Sequence, residues 1–101
     1  MSLDVVNYAR ARNEHTHSRR LEYRRRLARI EEEAGQPAKA ATLIEQSTQE
    51  TIAQGGLLKV GPQMAFLTGA LMRLTKDIGV LEHLQKLADA EHQLFKLPKV
   101  K

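Results

Sequence analysis

Residues 23–37 read YRRRLARIEEEAGQP, and this stretch decides the fold. A basic run with apolar residues at helical spacing is followed by Gly35 and Pro37. Glycine tolerates the left-handed conformation that commonly follows a helix, and proline cannot continue one. Pro37 is also a favourable first residue of a new helix. The stretch therefore predicts a helix that ends near Ala34, a short turn, and a second helix that begins at Pro37.

Outward from this turn, glycine and proline divide the rest of the chain into further helical segments. Gly55-Gly56 ends or bends the second segment, Gly61-Pro62 opens the third, and Gly79 separates the third from the fourth. No stretch has the alternating pattern of a strand. The predicted fold class is all-α, a long basic N-terminal helix plus a small helical bundle, with about four helices in total.

The domain prediction is a single domain with an extended first helix. A continuous helix over residues 3–34 would be about 45 Å long, whereas a compact domain of 100 residues has a radius of gyration of about 13 Å. We therefore expect residues 1–34 to form a basic helical arm whose C-terminal end packs on a bundle of residues 35–101. Residues 13–18 contain no apolar side chain, so the helix there is either solvated or broken.

Apolar residues at helical spacing give three of the segments a predicted inner face. The predicted inner residues are Tyr23, Leu27, Ile30 and Ala34 in the first segment; Phe66, Leu67, Leu71, Leu74 and Ile78 in the third; and Leu81, Leu84, Leu87, Ala88, Leu94 and Phe95 in the fourth. In the second segment, Ala41, Ile44, Thr48 and Ile52 form the corresponding stripe.

The charge of the 101-residue chain is concentrated in its first third. Residues 1–30 carry eight arginines against three acidic side chains, a net of +5, whereas residues 31–101 carry eight basic and nine acidic side chains, a net of −1. A cationic stripe on a nearly neutral body is typical of proteins that bind a polyanion, most often nucleic acid. The alternative is a solvated helix face, or one paired with acidic residues of a neighbouring chain.

The predicted nucleic-acid-binding residues follow from this stripe. Arg12, Arg19 and Arg26 are spaced by seven and nearly superimpose on a helix. Like charges four residues apart on a helix repel one another. Glu22 is the only acidic residue of residues 19–29, so a bound polyanion would relieve the repulsion. The predicted phosphate-binding arginines are Arg10, Arg12, Arg19, Arg20, Arg24, Arg25, Arg26 and Arg29.

The sequence predicts neither a catalytic residue nor a metal or cofactor site. His15 and His17 are two apart and would point to different sides of a helix. Asp89, Glu91 and His92 have no nucleophile or pocket partner in the pattern. We therefore expect a protein that is not an enzyme. With no cysteine, no secretory signal and no apolar run of membrane-spanning length, we expect it in the cytoplasm and not in a membrane.

The second half of the chain resembles a known family. Gly55-Gly56-Leu57-Leu58-Lys59-Val60-Gly61, then Leu67-Thr68-Gly69-Ala70-Leu71, then Leu94-Phe95-Lys96-Leu97-Pro98 resemble the pattern of small plasmid mobilisation proteins, the TraD/MobC type of relaxosome accessory protein. The resemblance covers roughly residues 54–98. It implies a non-enzymatic protein that joins a relaxase at a plasmid transfer origin, binds the DNA there and favours strand opening.

The resemblance also assigns roles to individual residues. It implies that Gly55, Gly56 and Gly61 form a structural turn and that Lys59 contacts nucleic acid. In the family, basic residues lie directly before the glycine pair, whereas here residues 47–54 contain one acidic and no basic side chain. This departure moves the predicted DNA contact to the N-terminal helix.

Two functional predictions result. The first is a DNA-binding accessory protein, a homodimer, that contacts the DNA backbone and has a relaxase as a further partner. The alternative is a helical adaptor or chaperone whose arginine helix pairs with an acidic protein partner.

Overall fold

The computed structural model describes residues 3–55 and 60–97, and within these ranges the chain forms four α-helices and no strand. The helices are α1 (Leu3–Glu33), α2 (Pro37–Gln54), α3 (Val60–Leu74) and α4 (Leu81–Phe95). A short 3₁₀ helix (Ile78–Val80) connects α3 to α4. The predicted all-α class with about four helices is therefore confirmed.

The turn between α1 and α2 has the predicted cause. Gly35 has a left-handed φ of +77°. Its amide donates to the Glu32 carbonyl at 3.2 Å, and the Gln36 amide donates to the Glu31 carbonyl at 2.8 Å. These two bonds define a Schellman motif, which satisfies carbonyls at the end of a helix. Pro37 then occupies the first turn of α2, so α1 and α2 form an antiparallel hairpin.

Helix α2 lies at the centre of the molecule, because α1, α3 and α4 all pack against it. Its inner side is made of small residues: Ala40, Ala41, Ser47, Thr48 and Thr51 are fully buried together with Ile44. The radius of gyration is 14.9 Å and the long dimension is 53 Å, so the molecule is more elongated than a compact domain of this size.

The predicted inner face of α1 is wrong. Leu21 and Ala28 are the buried residues of this helix, whereas Tyr23 is 67% exposed and Ile30 is 58% exposed. The small side chains of α2 let α1 approach at Ala28, and Leu21, two helical turns earlier, is buried on the same side. Tyr23 and Ile30 lie on a different side of α1 and are left in solvent.

Parts of the predicted inner faces of α3 and α4 are also wrong. Leu87, Ala90 and Leu94 are buried in α4, but Leu81 and Phe95 lie on a different side of this helix and are exposed. Ile78 belongs to the 3₁₀ helix and is 84% exposed, and Val80 is buried in its place. A polar residue, Gln63, fills the α3 core position nearest to α1 and α2.

The predicted division into an arm and a bundle stays a prediction. Buried side chains of α1 occur at Leu21 and Ala28, and ion pairs join this helix to the others from His17 to Glu32. The contact between α1 and the other helices therefore extends well beyond its last turns.

Candidate nucleic-acid interface

The predicted arginines fall into two groups once α1 is packed on α2. Arg20, Arg24 and Arg25 point toward the neighbouring helices and have partners there. Arg12, Arg19, Arg26 and Arg29 are exposed on the remaining sides of α1. The side chain of Arg10 and all of Lys59 lie outside the described residues. Some of the predicted arginines therefore hold α1 against the other helices, and the others form a cationic surface.

Glu50 of α2 is the counter-charge that the sequence analysis missed. Its Oε1 atom lies 3.0 Å from Nδ1 of His17 and 3.1 Å from Nη2 of Arg20. Its Oε2 atom accepts a hydrogen bond from Nη1 of Arg24 at 2.5 Å. The Glu50 side chain is only 11% exposed. One carboxylate thus holds two arginines and a histidine against α2.

A signal for this contact was present in the sequence. Glu50 is the only charged residue of residues 47–54. In a hairpin centred on Gly35 and Gln36, position 50 of the second helix lies opposite position 21 of the first. Counting residues from the predicted turn would therefore have placed Glu50 among Arg20 and Arg24, and the repulsion attributed to them is relieved within the chain.

Arg25 is anchored in the interior of the bundle. Its Nε and Nη2 atoms donate to Oε1 of Gln63 at 3.0 and 2.8 Å. The Gln63 Nε2 atom in turn donates to the hydroxyls of Ser47 and Thr48 at 2.9 and 3.0 Å. The Arg25 guanidinium also lies 5.8 Å from the centre of the Phe66 ring, in the range of a cation–π contact. This network connects α1, α2 and α3.

Burial of the Arg25 guanidinium lowers its pKa, and the nearby carboxylate of Glu22 raises it in part. An arginine remains charged at neutral pH because its ordinary pKa is so high. The buried positive charge is satisfied by Gln63 and Phe66 rather than by a carboxylate contact of its own. Arg25 is therefore a structural residue, and we leave it out of the candidate interface.

The outward arginines keep their guanidinium groups accessible. Arg26 pairs with Glu22 one turn earlier at 2.6 Å, but both side chains are more than half exposed, and such surface pairs are weak. Among the described side chains, which leave out residues 3–11, 13 and 14 of α1, no carboxylate lies within ion-pair distance of Arg12, Arg19 or Arg29. These four residues form the cationic surface of α1, which we call the outward face.

Tyr23 stands on this face between two depressions. The larger, of about 400 Å³, is lined by Arg19, Arg20, Tyr23, Arg24, Leu27 and Leu43. The smaller, of about 250 Å³, is lined by Arg19, Glu22, Tyr23 and Arg26. Both contain Tyr23 and Arg19, so the two depressions meet at these side chains. The floor of the larger depression is apolar, and its rim carries guanidinium groups.

The predicted glycine turn stays a prediction, because part of it lies outside the described residues. Gly55 ends α2 with a left-handed φ of +57°, as the turn requires. Gly56 lies outside the described residues. Gly61 lies inside the first turn of α3 without a left-handed φ, and a β-carbon there would meet no atom within 4 Å. Gly61 therefore shows no local need for glycine.

Within residues 3–55 and 60–97, no group of three or more His, Asp or Glu side chains is placed to hold a metal ion. Glu91 accepts a hydrogen bond from Thr68, and Asp89 accepts one from Gln85. None of the helices in these ranges has the length and apolar character needed to cross a membrane.

Comparisons of the chain with protein-family models, with curated proteins and with solved structures found no match.

Proposed function

We propose that the protein is a non-enzymatic, DNA-binding accessory protein that holds phosphate groups on the outward face of α1. The observation that carries the proposal is the division of the arginines. Glu50 and Gln63 satisfy the arginines that face the bundle, so packing accounts for them. Packing does not account for the four outward arginines, which are exposed and lie on one helix.

The spacing of the outward arginines suits a phosphate backbone. Arg12, Arg19 and Arg26 recur every seven residues, which is about 10.5 Å along a helix at 1.5 Å per residue. The three guanidinium groups therefore form a row along one side of α1. A nucleic-acid backbone that follows this row would meet them one after another. Such contacts position a protein on DNA but do not read its sequence.

The resemblance supplies the biological setting of this proposal. In that setting the protein would be a cytoplasmic relaxosome component that binds a plasmid transfer origin and assists a relaxase. The homodimer and the relaxase contact belong to the same proposal. Met72 on α3 and Leu81 and Phe95 on α4 are exposed apolar side chains outside α1, and a protein partner would have these available for contact.

The second candidate function is a protein-interaction adaptor, and it is favoured only by the exposed apolar side chains of α3 and α4. The arginines of α1 give it less support, because Glu50 already pairs with two of them and they need no acidic protein partner. An adaptor would pass through a heparin column at low salt and would purify with the absorbance ratio of pure protein.

The test is a fluorescence-anisotropy titration of the purified protein with a short labelled duplex at low salt and at 200 mM salt. Eight predicted phosphate contacts reduce here to about four, so we expect a slope of log K against log [salt] of about −3 to −4. Absence of binding at low salt would exclude the proposal and leave the adaptor.

A further inference from the structure

The position of Tyr23 is not explained by packing or by phosphate binding. Its ring is 67% exposed, and the phenol adds no positive charge to the face. Exposed aromatic side chains in a basic groove are the usual platforms on which the bases of single-stranded nucleic acids stack. We propose that Tyr23 stacks against an unpaired base, so that the outward face of α1 binds single-stranded DNA. This inference depends on the proposed function and specifies its ligand.

The larger depression beside Tyr23 has the two chemical features that a nucleotide needs. Leu27 and Leu43 give it an apolar floor, and Arg19, Arg20 and Arg24 surround it with guanidinium groups. Its volume of about 400 Å³ lies in the range of small-ligand sites, about 300–1,000 Å³. A phosphate alone would leave the apolar floor open to water. A base with its own phosphate covers the floor and meets the guanidinium groups at the same time.

The smaller depression extends the same site along α1. It shares Arg19 and Tyr23 with the larger depression, and Glu22 and Arg26 complete its lining. Tyr23 therefore lines both depressions, and each of them also contains an outward arginine. A strand that follows Arg12, Arg19 and Arg26 passes Tyr23 on its way. The bases of a duplex face one another inside the helix, so only an unpaired base can use this platform.

The charge of the site favours a nucleic acid over an apolar protein segment. The rim contains three arginines, and Glu50 engages two of them from the α2 side without entering the lining of either depression. An apolar helix seated here would bury the guanidinium of Arg19, which has no carboxylate partner among the described side chains, and burial of an unpaired charge is costly. A single strand supplies a phosphate for each nucleotide.

The experiment compares three labelled ligands: an oligothymidine, an abasic single strand with the same number of phosphates, and a duplex of the same length. The full-length protein is titrated with each, as wild type and as Tyr23→Ala, Tyr23→Phe and Ile30→Ala. Ile30→Ala is the matched control, because Ile30 is a similarly exposed residue of α1 that lines neither depression. Thermal unfolding of each variant checks that the fold is retained.

We expect the wild type to bind oligothymidine more tightly than the abasic strand. Tyr23→Ala should remove this difference, a loss of about 5- to 150-fold for one stacked base. Tyr23→Phe should restore most of it, and Ile30→Ala should behave as the wild type. The chain has no tryptophan and only two tyrosines. In a Tyr8→Phe background, quenching of the remaining tyrosine emission by oligothymidine would therefore report directly on Tyr23.

Different failures have different meanings in this experiment. If Tyr23→Ala binds oligothymidine as well as the wild type does, or loses affinity equally for all three ligands, the stacking site is wrong and phosphate binding by α1 stands. If the wild type binds none of the three ligands at low salt, the proposed function fails and the stacking site fails with it.

Discussion

The guanidinium of Arg25 and the side-chain amide of Gln63 form the polar centre of the bundle. Two guanidinium nitrogens donate to the same oxygen of Gln63, at 3.0 and 2.8 Å. The Gln63 side chain is fully buried, and its amide nitrogen donates to two hydroxyls of α2. All the hydrogen-bonding groups of the glutamine side chain are thereby used, and three helices are fixed in relation to one another.

Gln63→Leu should therefore destabilise the protein, although leucine is apolar and position 63 is buried. The substitution leaves the partly buried guanidinium of Arg25 without its acceptor, and unsatisfied charged donors are costly. We expect the free energy of unfolding, measured by urea denaturation, to fall by about 2–3 kcal/mol. The double variant Arg25→Met with Gln63→Leu should recover part of this loss, because removal of both partners leaves no orphaned group. Strictly additive losses would contradict the account.

Glu50→Gln should strengthen DNA binding while it weakens the fold. The substitution removes the carboxylate that holds Arg20 and Arg24, so that both guanidinium groups become free for phosphates. We expect affinity for DNA at low salt to rise several-fold, with a salt slope steeper by about one to two contacts. The free energy of unfolding should fall by about 1–2 kcal/mol.

Glu45→Gln is the matched control for that experiment. Glu45 is another carboxylate of α2, and its partner is His83 of α4 at 3.7 Å rather than a residue of α1. Glu45→Gln changes the net charge of the protein by the same amount as Glu50→Gln does. Equal gains in affinity for the two variants would show that only net charge matters, and would contradict a specific restraint of Arg20 and Arg24 by Glu50.

How much of this arrangement the sequence predicts depends on whether the cause is local. The hairpin turn depends on the backbone preferences of Gly35 and Pro37, so its position and both adjoining helix ends followed from residue type alone. Gly55 ended α2 for the same reason. These helix ends depend on a few neighbouring residues, so the positions of glycine and proline in the sequence are enough to predict them.

Which side of a helix faces inward is a different kind of question. Periodicity identifies an apolar stripe, but α1 carries both Tyr23 with Ile30 and Leu21 with Ala28 on different sides. The small side chains of α2 decide between the two by permitting close packing on Ala28. The ion pairs of Glu50 also depend on how α1 and α2 lie together. They follow from the sequence only when residues are counted from the turn in both helices, because the pattern of one helix does not show what faces it.

Two glycines should respond to alanine in opposite directions. Gly69 lies inside α3, and a β-carbon there would approach only the Arg73 side chain, at 3.4 Å. Gly69→Ala should raise the free energy of unfolding by about 0.5–1 kcal/mol, because alanine favours the helix. Gly35→Ala should lower it by about 1–2 kcal/mol, since φ is +77° there. Thermal unfolding of both variants checks the signs, and a loss of stability in Gly69→Ala would contradict the packing described for α3.

Two leucines of α4 should differ sharply despite their similar place in the pattern. Leu87 is fully buried, whereas Leu81 is 60% exposed. Leu87→Ala should cost about 2–5 kcal/mol of unfolding free energy, and Leu81→Ala should cost about 0.5 kcal/mol or less. Denaturation of the dilute protein measures both. A large loss for Leu81→Ala would mean that its side of α4 is buried, for instance against a second copy of the chain.

The most direct test of the central claim is DNA affinity as a function of salt for two triple variants of equal charge. One, Arg12→Gln with Arg19→Gln and Arg26→Gln, neutralises the outward face. The other replaces Lys39, Lys76 and Lys86, exposed lysines of other elements, by glutamine. We expect the arginine variant to lose most of its affinity for DNA. Its slope of log K against log [salt] should become shallower by the amount that corresponds to about three phosphate contacts. The lysine variant should keep both the affinity and the slope nearly unchanged. Equal losses in the two variants, or none in either, would contradict phosphate binding by the outward face of α1.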